Sequence, residues 1–118
     1  MANARGIAGR TAEAMAEDFL VARGLTIVDR NFRRRGGELD LIARDGDTLV
    51  FVEVRLRTRH DFGGPAASIT ATKRARIANA AGHYLAQLRH TPPCRFDAVL
   101  LDALDPERIE WLKDMMTV

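Results

Sequence analysis

The sequence predicts an α/β protein in which helices flank a mixed β-sheet, in the order αβββαβ. Three observations carry this prediction. Apolar residues recur at helical spacing near the N-terminus and again after residue 70. Two apolar stretches flank Asp45-Gly46, a pair that favours a tight hairpin turn. The segment 70–89 is long enough to join two parallel strands by a right-handed crossover, which places helices on both faces of the sheet.

Length and composition set the class of protein. The chain has 118 residues, 47% hydrophobic and 29% charged, which predicts a single globular domain spanning residues 1–118. Its one cysteine, Cys94, excludes an intrachain disulfide, and its place beside a strand predicts a buried side chain. No apolar run reaches the length of a membrane span, and acidic residues enter the N-terminal segment early. We therefore expect a cytoplasmic protein without a membrane partner.

The first helix is predicted over residues 9–23. Its apolar positions at helical spacing are Ala12, Met15, Ala16, Phe19 and Ala22. Gly24 follows where a helix would stop. The segment 25–33 then predicts a short strand, because it is rich in β-branched and aromatic residues.

The segment 38–57 predicts a β-hairpin. Gly36-Gly37 break the chain before it, and Asp45-Gly46 is the pair preferred in a type I′ turn. A turn centred on that pair places Asp40 opposite Phe51 and Glu38 opposite Glu53.

The second half of the chain predicts a loop, a long helix and a strand. Gly and Pro mark residues 58–68 as the loop. Thr70 is a plausible N-cap for a helix that runs to Arg89, before Pro92-Pro93. The segment 94–102 is nearly all apolar at its end and predicts a central strand, and the tail can add a short final strand.

An acidic cluster is expected on one side of the hairpin. Strands alternate sides, so Glu38, Asp40, Glu53 and Arg55 share a side, with Asp40 about 7–8 Å diagonally from Glu53. Like charges at that distance need a shared proton or a cation, and Mg²⁺ prefers carboxylate oxygens. The alternative is an ion-pair network in which Arg55 and Arg57 neutralise exposed acids. The residues alone leave both interpretations open.

The hairpin resembles the Asp-x(n)-Glu-x-Lys core of the restriction-endonuclease-like (PD-(D/E)XK) nuclease superfamily, with Asp40, Glu53 and Arg55 in the three positions. From residue 9 to residue 112, the chain more closely resembles the YraN family of small uncharacterised bacterial proteins. The matching blocks are Glu-x-x-Ala-x-x-aromatic-Leu at 13–20, Asn-x-Arg at 31–33, Gly-Glu-hydrophobic-Asp at 37–40, Phe-Val-Glu-Val-basic at 51–55, a basic helix carrying Lys73, and Arg-Phe-Asp at 95–97.

This resemblance implies a restriction-endonuclease-like fold and a Mg²⁺- or Mn²⁺-dependent phosphodiesterase site that acts on nucleic acid, with DNA favoured over RNA, in repair or recombination. It also implies that Glu13 joins Asp40 and Glu53 as a metal ligand; without it, Glu13 is interpreted as a solvated helix flank. Arg55 stands where these nucleases carry lysine. Arginine stays protonated, so Arg55 would stabilise transition-state charge rather than act as a base. The candidate nucleic-acid-binding residues are Arg33, Arg35, Arg57, Lys73 and Arg76.

Two alternatives stay open. The first is a nucleic-acid-binding or scaffold protein with the same fold and basic face but little catalysis, and Arg55 in the lysine position favours it. The second is a protein-binding homodimer whose acidic cluster is only structural. The presence of all three acids, Glu13, Asp40 and Glu53, favours the nuclease instead. The sequence specifies no protein partner.

Overall fold

The computed structural model describes residues 4–57 and 69–116. Within them, the elements are α1 (Ala4–Ala22), β1 (Thr26–Arg34), β2 (Gly37–Asp45), β3 (Thr48–Arg57), α2 (Ala71–Leu85), β4 (Cys94–Asp102) and β5 (Ile109–Leu112). The predicted α/β class is confirmed, and the short strand of the tail extends the order to αβββαββ. The loop predicted at 58–68 lies outside the described residues.

The five strands form one mixed sheet in the order β1-β2-β3-β4-β5. Neighbouring strands are antiparallel except β3 and β4, which run parallel. The segment that contains α2 makes the crossover between them, as the sequence predicts. The strand that carries Glu53 is therefore the central strand of the sheet.

Helix α1 covers one face of the sheet. It begins at Ala4, five residues before the predicted start, and ends at Ala22, one residue before the predicted end. There, the Gly24 N–H donates to Val21 O and the Leu25 N–H to Leu20 O, with Gly24 at φ +95°. The buried cluster on this face contains Ala12, Ala16, Leu20, Leu25, Leu41, Ala43, Val50, Val52, Val99 and Leu101. Neither α1 nor α2, the helices of the described ranges, could cross a bilayer on length and hydropathy.

Helix α2 covers the other face. Its predicted N-cap is confirmed, since Thr70 Oγ1 accepts the Lys73 N–H at 3.1 Å. It ends at Leu85 rather than Arg89. Beyond Leu85, the Leu88 N–H donates to Leu85 O, which is the spacing of a 3₁₀ turn rather than of an α-helix. The buried cluster on this face contains Phe32, Leu39, Ile42, Leu49, Phe51, Ile77, Ala80, Ala81, Tyr84 and Phe96.

Gly37 lets α2 lie directly on the start of β2. A Cβ atom at this position would lie 2.2 Å from Arg76 O and 2.9 Å from Ala80 N, distances that real Cβ atoms do not tolerate. Glycine is therefore required by space at this position. The contact holds the N-terminal half of α2, including Lys73, against the strand that carries Asp40.

The hairpin register differs from the prediction by two residues. Asp45 pairs with Thr48 and Leu41 with Val52, so Gly46 and Asp47 are the central turn residues. Only Gly46 of the two has positive φ, +60°, which is the pattern of a type II′ turn rather than type I′. Because the shift is even, each residue of the paired segment keeps its predicted side. Continuing the register by one pair brings Asp40 opposite Glu53 instead of Phe51.

A buried acid fixes the C-terminal segment. Asp97 is fully buried in β4 and accepts hydrogen bonds from Arg95 Nε at 3.1 and 3.2 Å, from Trp111 Nε1 at 3.0 Å and from the Asp114 N–H at 2.9 Å. These bonds join β4 to β5 and to the segment after it. Cys94 was expected to be buried, and this is wrong, because it begins β4 at an exposed margin of the sheet.

Candidate active site

Glu53 is a buried acid in the central strand. Its side chain is 1% exposed, and its Oε1 lies 3.0 Å from the Lys73 Nζ. Its Oε2 has no hydrogen-bond partner among the described residues. A buried carboxylate oxygen without a partner is costly, so Glu53 has room for one further donor or cation.

Asp40 lies beside Glu53 on the neighbouring strand. Its Oδ2 accepts the backbone N–H of Val54 at 2.8 Å. This bond continues the connection between β2 and β3 just past their last pair, Leu41 with Val52. The Asp40 and Glu53 carboxyls are close enough for each to affect the pKa of the other.

Burial raises the pKa of both acids. Burial, followed by the negative charge of Asp40, raises the pKa of Glu53 to about 8, against the opposing effect of Lys73. Burial also raises the pKa of Asp40, while the Val54 N–H and Lys73 counteract it. Both carboxyls are therefore harder to ionise than free ones, and Lys73 favours the ionised form of each.

The side-to-side alternation of β2 changes at Asp40. Leu41 packs in the cluster under α1, whereas Leu39 packs in the cluster under α2. On β1, Asn31 at φ +50° lies between the pairs Arg30–Leu41 and Phe32–Leu39. The grouping of Glu38 with Glu53 relied on uninterrupted alternation, which the strand does not maintain. Glu38 instead pairs with Arg33, whose Nη1 lies 2.9 Å from its Oε2.

Glu13 lies on α1, near this pair. It is half-buried on α1 and lines a cleft of about 370 Å³ together with Arg10, Arg30 and Leu41. Burial, followed by the charge of Asp40, raises the pKa of Glu13, so the two acids sense each other. Within residues 4–57 and 69–116, no three side chains of the metal-binding types come together as a ligand group. The structure thus brings Asp40 and Glu53 together and leaves Glu13 as a neighbour.

The predicted basic residues occupy different environments. Arg33 pairs with Glu38, while Arg35 and Arg76 are exposed. The Arg57 side chain lies outside the described residues. Arg55 is half-buried, and its Nε has no partner in the part of the chain that the structure describes.

Lys73 makes a contact that the sequence analysis did not predict. It was predicted to bind nucleic acid, and in the structure its Nζ pairs with the buried Glu53. One signal was available in the sequence. The N-cap at Thr70 puts Lys73 in the first turn of the crossover helix, which must begin near the end of the strand it follows.

Comparison with known proteins establishes the family. The model described as "Uncharacterised protein family UPF0102" matches residues 12–101, a span that contains Glu13, Asp40, Glu53 and Lys73. The chain belongs to UPF0102. The predicted resemblance to the YraN family is thereby confirmed.

Full-length relatives agree with this assignment. A UPF0102 protein of Nitrosospira multiformis is 52% identical over 110 residues, covering 93% of this chain and 92% of the relative. One from Methylobacillus flagellatus is 50% identical, with coverage of 90% and 93%. One from Dechloromonas aromatica is 58% identical, with coverage of 89% and 84%. The similarity to UPF0102 proteins therefore extends over nearly the whole of each chain.

Proposed function

We propose that this UPF0102 protein is a Mg²⁺- or Mn²⁺-dependent nuclease-like phosphodiesterase of the restriction-endonuclease-like superfamily. The observation that carries the proposal is the pair of acids formed by buried Glu53 and half-buried Asp40, on adjacent strands at the centre of the sheet. A purely structural ion pair would leave no buried carboxylate oxygen without a partner, whereas Glu53 Oε2 has none among the described residues.

The two acids fit a divalent cation. Oxygen ligands suit Mg²⁺ and Mn²⁺, and one or two carboxylates are enough when water and phosphate complete the shell. Asp40 and Glu53 would be direct ligands, and Glu13 would act from α1. A bound ion supplies an activated water and polarises the scissile phosphate. Arg55 would donate hydrogen bonds to phosphate oxygens as charge develops.

Two basic segments that are distant in sequence lie together in the fold. The β1–β2 turn carries Arg35, and the adjoining Gly37 contacts the backbone of α2 at Arg76. With Arg33, Arg57 and Lys73, these residues would contact the sugar-phosphate backbone without reading bases. DNA is the favoured substrate, with repair or recombination as the favoured process.

A binding or scaffold protein with the same fold is the second candidate function. The observation in its favour is Arg55, because a permanently protonated group cannot take part in proton transfer. Such a protein would use the basic surface and keep the acid pair as a structural or regulatory feature.

Two measurements test the proposal and separate these candidates. Calorimetric titration of Mn²⁺ into the wild type and Asp40→Ala will show binding that the variant loses, and equal binding by the two would refute the ligand set. Cleavage assays with Mn²⁺ on branched, flapped and single-stranded DNA and on RNA, with Glu53→Gln as the control, will show activity in the wild type alone. Tight nucleic-acid binding without cleavage would support the scaffold.

A further inference from the structure

Among the described residues, the cation that pairs with Glu53 comes from α2 rather than from the strand. Lys73 Nζ lies 3.0 Å from Glu53 Oε1, with the lysine side chain 28% exposed and the glutamate side chain 1% exposed. The charge of Lys73 also acts on the Asp40 carboxyl. Lys73 thus connects a fully buried acid to solvent, and an ammonium group has three N–H donors, of which Glu53 needs one.

We propose that Lys73 is the catalytic cation of this site, bridging Glu53 and the scissile phosphate, and that Arg55 binds a flanking phosphate instead. The proposal rests on the proposed phosphodiesterase function and specifies which side chain supplies its positive charge. It moves that role from residue 55 on β3 to the first turn of the helix that follows.

The backbone around Lys73 is fixed, as a bridging role requires. Its N–H is held by the N-cap Thr70 at 3.1 Å. One turn later, Arg76 O lies against Gly37, where no side chain could intervene. These two contacts set the distance between the first turn of α2 and the β2–β3 pair. A flexible lysine stem anchored in this way can hold Glu53 Oε1 while Oε2 stays open.

Arg55 is less suited to the same role. Its Nε is buried without a partner among the described residues, and the ion pair of Glu53 is made by Lys73. A guanidinium also has a planar, bidentate geometry that matches a phosphate held at a distance better than a shared contact with one carboxylate oxygen.

Side-chain rescue tests the proposal directly. In a Cys94→Ser background, which removes the single and exposed cysteine, Lys73→Cys is assayed before and after alkylation with 2-bromoethylamine, which rebuilds a lysine-like amine. Cleavage with Mn²⁺ is expected to fall by about 100-fold in Lys73→Cys and Lys73→Met and to recover at least ~10-fold on alkylation. Arg55→Met, the matched control, is expected to lose less than about 10-fold, mainly through KM.

Failure to recover on alkylation, or a larger loss of kcat in Arg55→Met than in Lys73→Met, would overturn the proposal. A second readout needs no activity. Removing a positive charge beside Glu53 makes the site more negative, so Lys73→Met is expected to bind Mn²⁺ several-fold more tightly than the wild type, whereas Arg55→Met binds it equally. If the wild type cleaves no substrate, the phosphodiesterase function fails. The order of Mn²⁺ affinities then decides whether Lys73 is the cation of the acid pair, and unchanged or weaker binding by Lys73→Met refutes it.

Discussion

Asp40 Oδ2 accepts the backbone N–H of Val54 at 2.8 Å, one residue beyond Glu53. The bond lies just past the last ladder pair of β2 and β3, so a side chain replaces a backbone acceptor there. Asp40 is therefore both a connection within the sheet and a candidate metal ligand. The two roles separate experimentally, because an amide keeps the acceptor and loses the charge.

Asp40→Asn and Asp40→Ala are expected to differ in stability and to agree in metal binding. Alanine leaves the Val54 N–H without its acceptor and is expected to lower the free energy of unfolding by about 1–3 kcal/mol, whereas asparagine can accept the same bond. Both variants are expected to lose at least ~10-fold in Mn²⁺ affinity. Urea unfolding and calorimetry measure the two effects. Equal destabilisation by both variants would mean that Asp40 stabilises the sheet through its charge.

Glu53→Gln is expected to gain stability over the wild type as the pH rises from about 4.5 to about 8. The folded protein has a raised Glu53 pKa, so it keeps a proton that the unfolded chain releases. The stability from this proton is fully present below pH 4.5 and is lost as the pH rises through about 8. Glutamine does not titrate, so the free energy of unfolding of the variant relative to the wild type can rise by up to about 1.4 kcal/mol per pH unit. Parallel unfolding curves for the two proteins from pH 5 to pH 8.5 would contradict this prediction.

Mn²⁺ binding is expected to release a proton and to strengthen with pH up to about 8, the raised pKa of Glu53. The reason is that a carboxyl group must be ionised to ligate a metal ion. For one released proton, the affinity would rise by up to about tenfold per pH unit below that pKa. Calorimetry in two buffers of different ionisation enthalpy counts the protons. A binding constant that does not change with pH would show that Glu53 is not a ligand.

Gly37→Ala is expected to destabilise the protein, because its Cβ would lie 2.2 Å from Arg76 O. Moving α2 away from β2 to make room is expected to lower the free energy of unfolding by about 1–3 kcal/mol or more. Gly82→Ala, in the same helix, is the matched control. A Cβ at Gly82 meets nothing within 4 Å, so this variant is expected to gain about 0.5–1 kcal/mol. Guanidinium unfolding compares the two, and equal stability of Gly37→Ala and wild type would disprove the close contact.

Arg35→Ala and Arg76→Ala are each expected to reduce the salt dependence of DNA binding. A phosphate contact contributes about 0.9 to the slope of log affinity against log salt on duplex DNA. Arg89→Ala removes an exposed positive charge beyond the opposite end of α2 and is expected to leave the slope unchanged. Fluorescence anisotropy between 50 and 200 mM salt would measure the slopes. Equal changes in all three variants would indicate a general charge effect rather than a defined contact surface.

Local patterns were enough to predict most of the fold. Apolar periodicity, the N-cap Thr70 and the terminating Gly24 describe short-range preferences that the tertiary structure did not override. The hairpin was recognised from Asp45-Gly46, but the turn uses Gly46 and Asp47 as its central residues. A dipeptide signal does not fix which turn positions its residues occupy, and the resulting error of two residues preserved the sides of the paired strands.

The candidate site was less predictable because it depends on contacts between elements. Asp40 and Glu53 were found because both lie on one hairpin, where register brings them together. The pairing of Lys73 with Glu53 depends on how closely α2 approaches the sheet, which is decided by the absence of a side chain at Gly37. The change of side at Asp40 lies opposite Asn31, a residue at positive φ on another strand, and no pattern within β2 predicts it.

Glu53 and Val54 lie in β3, with two further strands on each side of it. The amide protons of a central strand exchange with solvent only through large-scale opening, not through fraying at an edge. The slowest-exchanging amides of the protein should therefore include those beside the acid pair. A variant that lacks one carboxylate ligand but keeps slow amide exchange in β3 has therefore lost metal binding without losing the structure of the central strand.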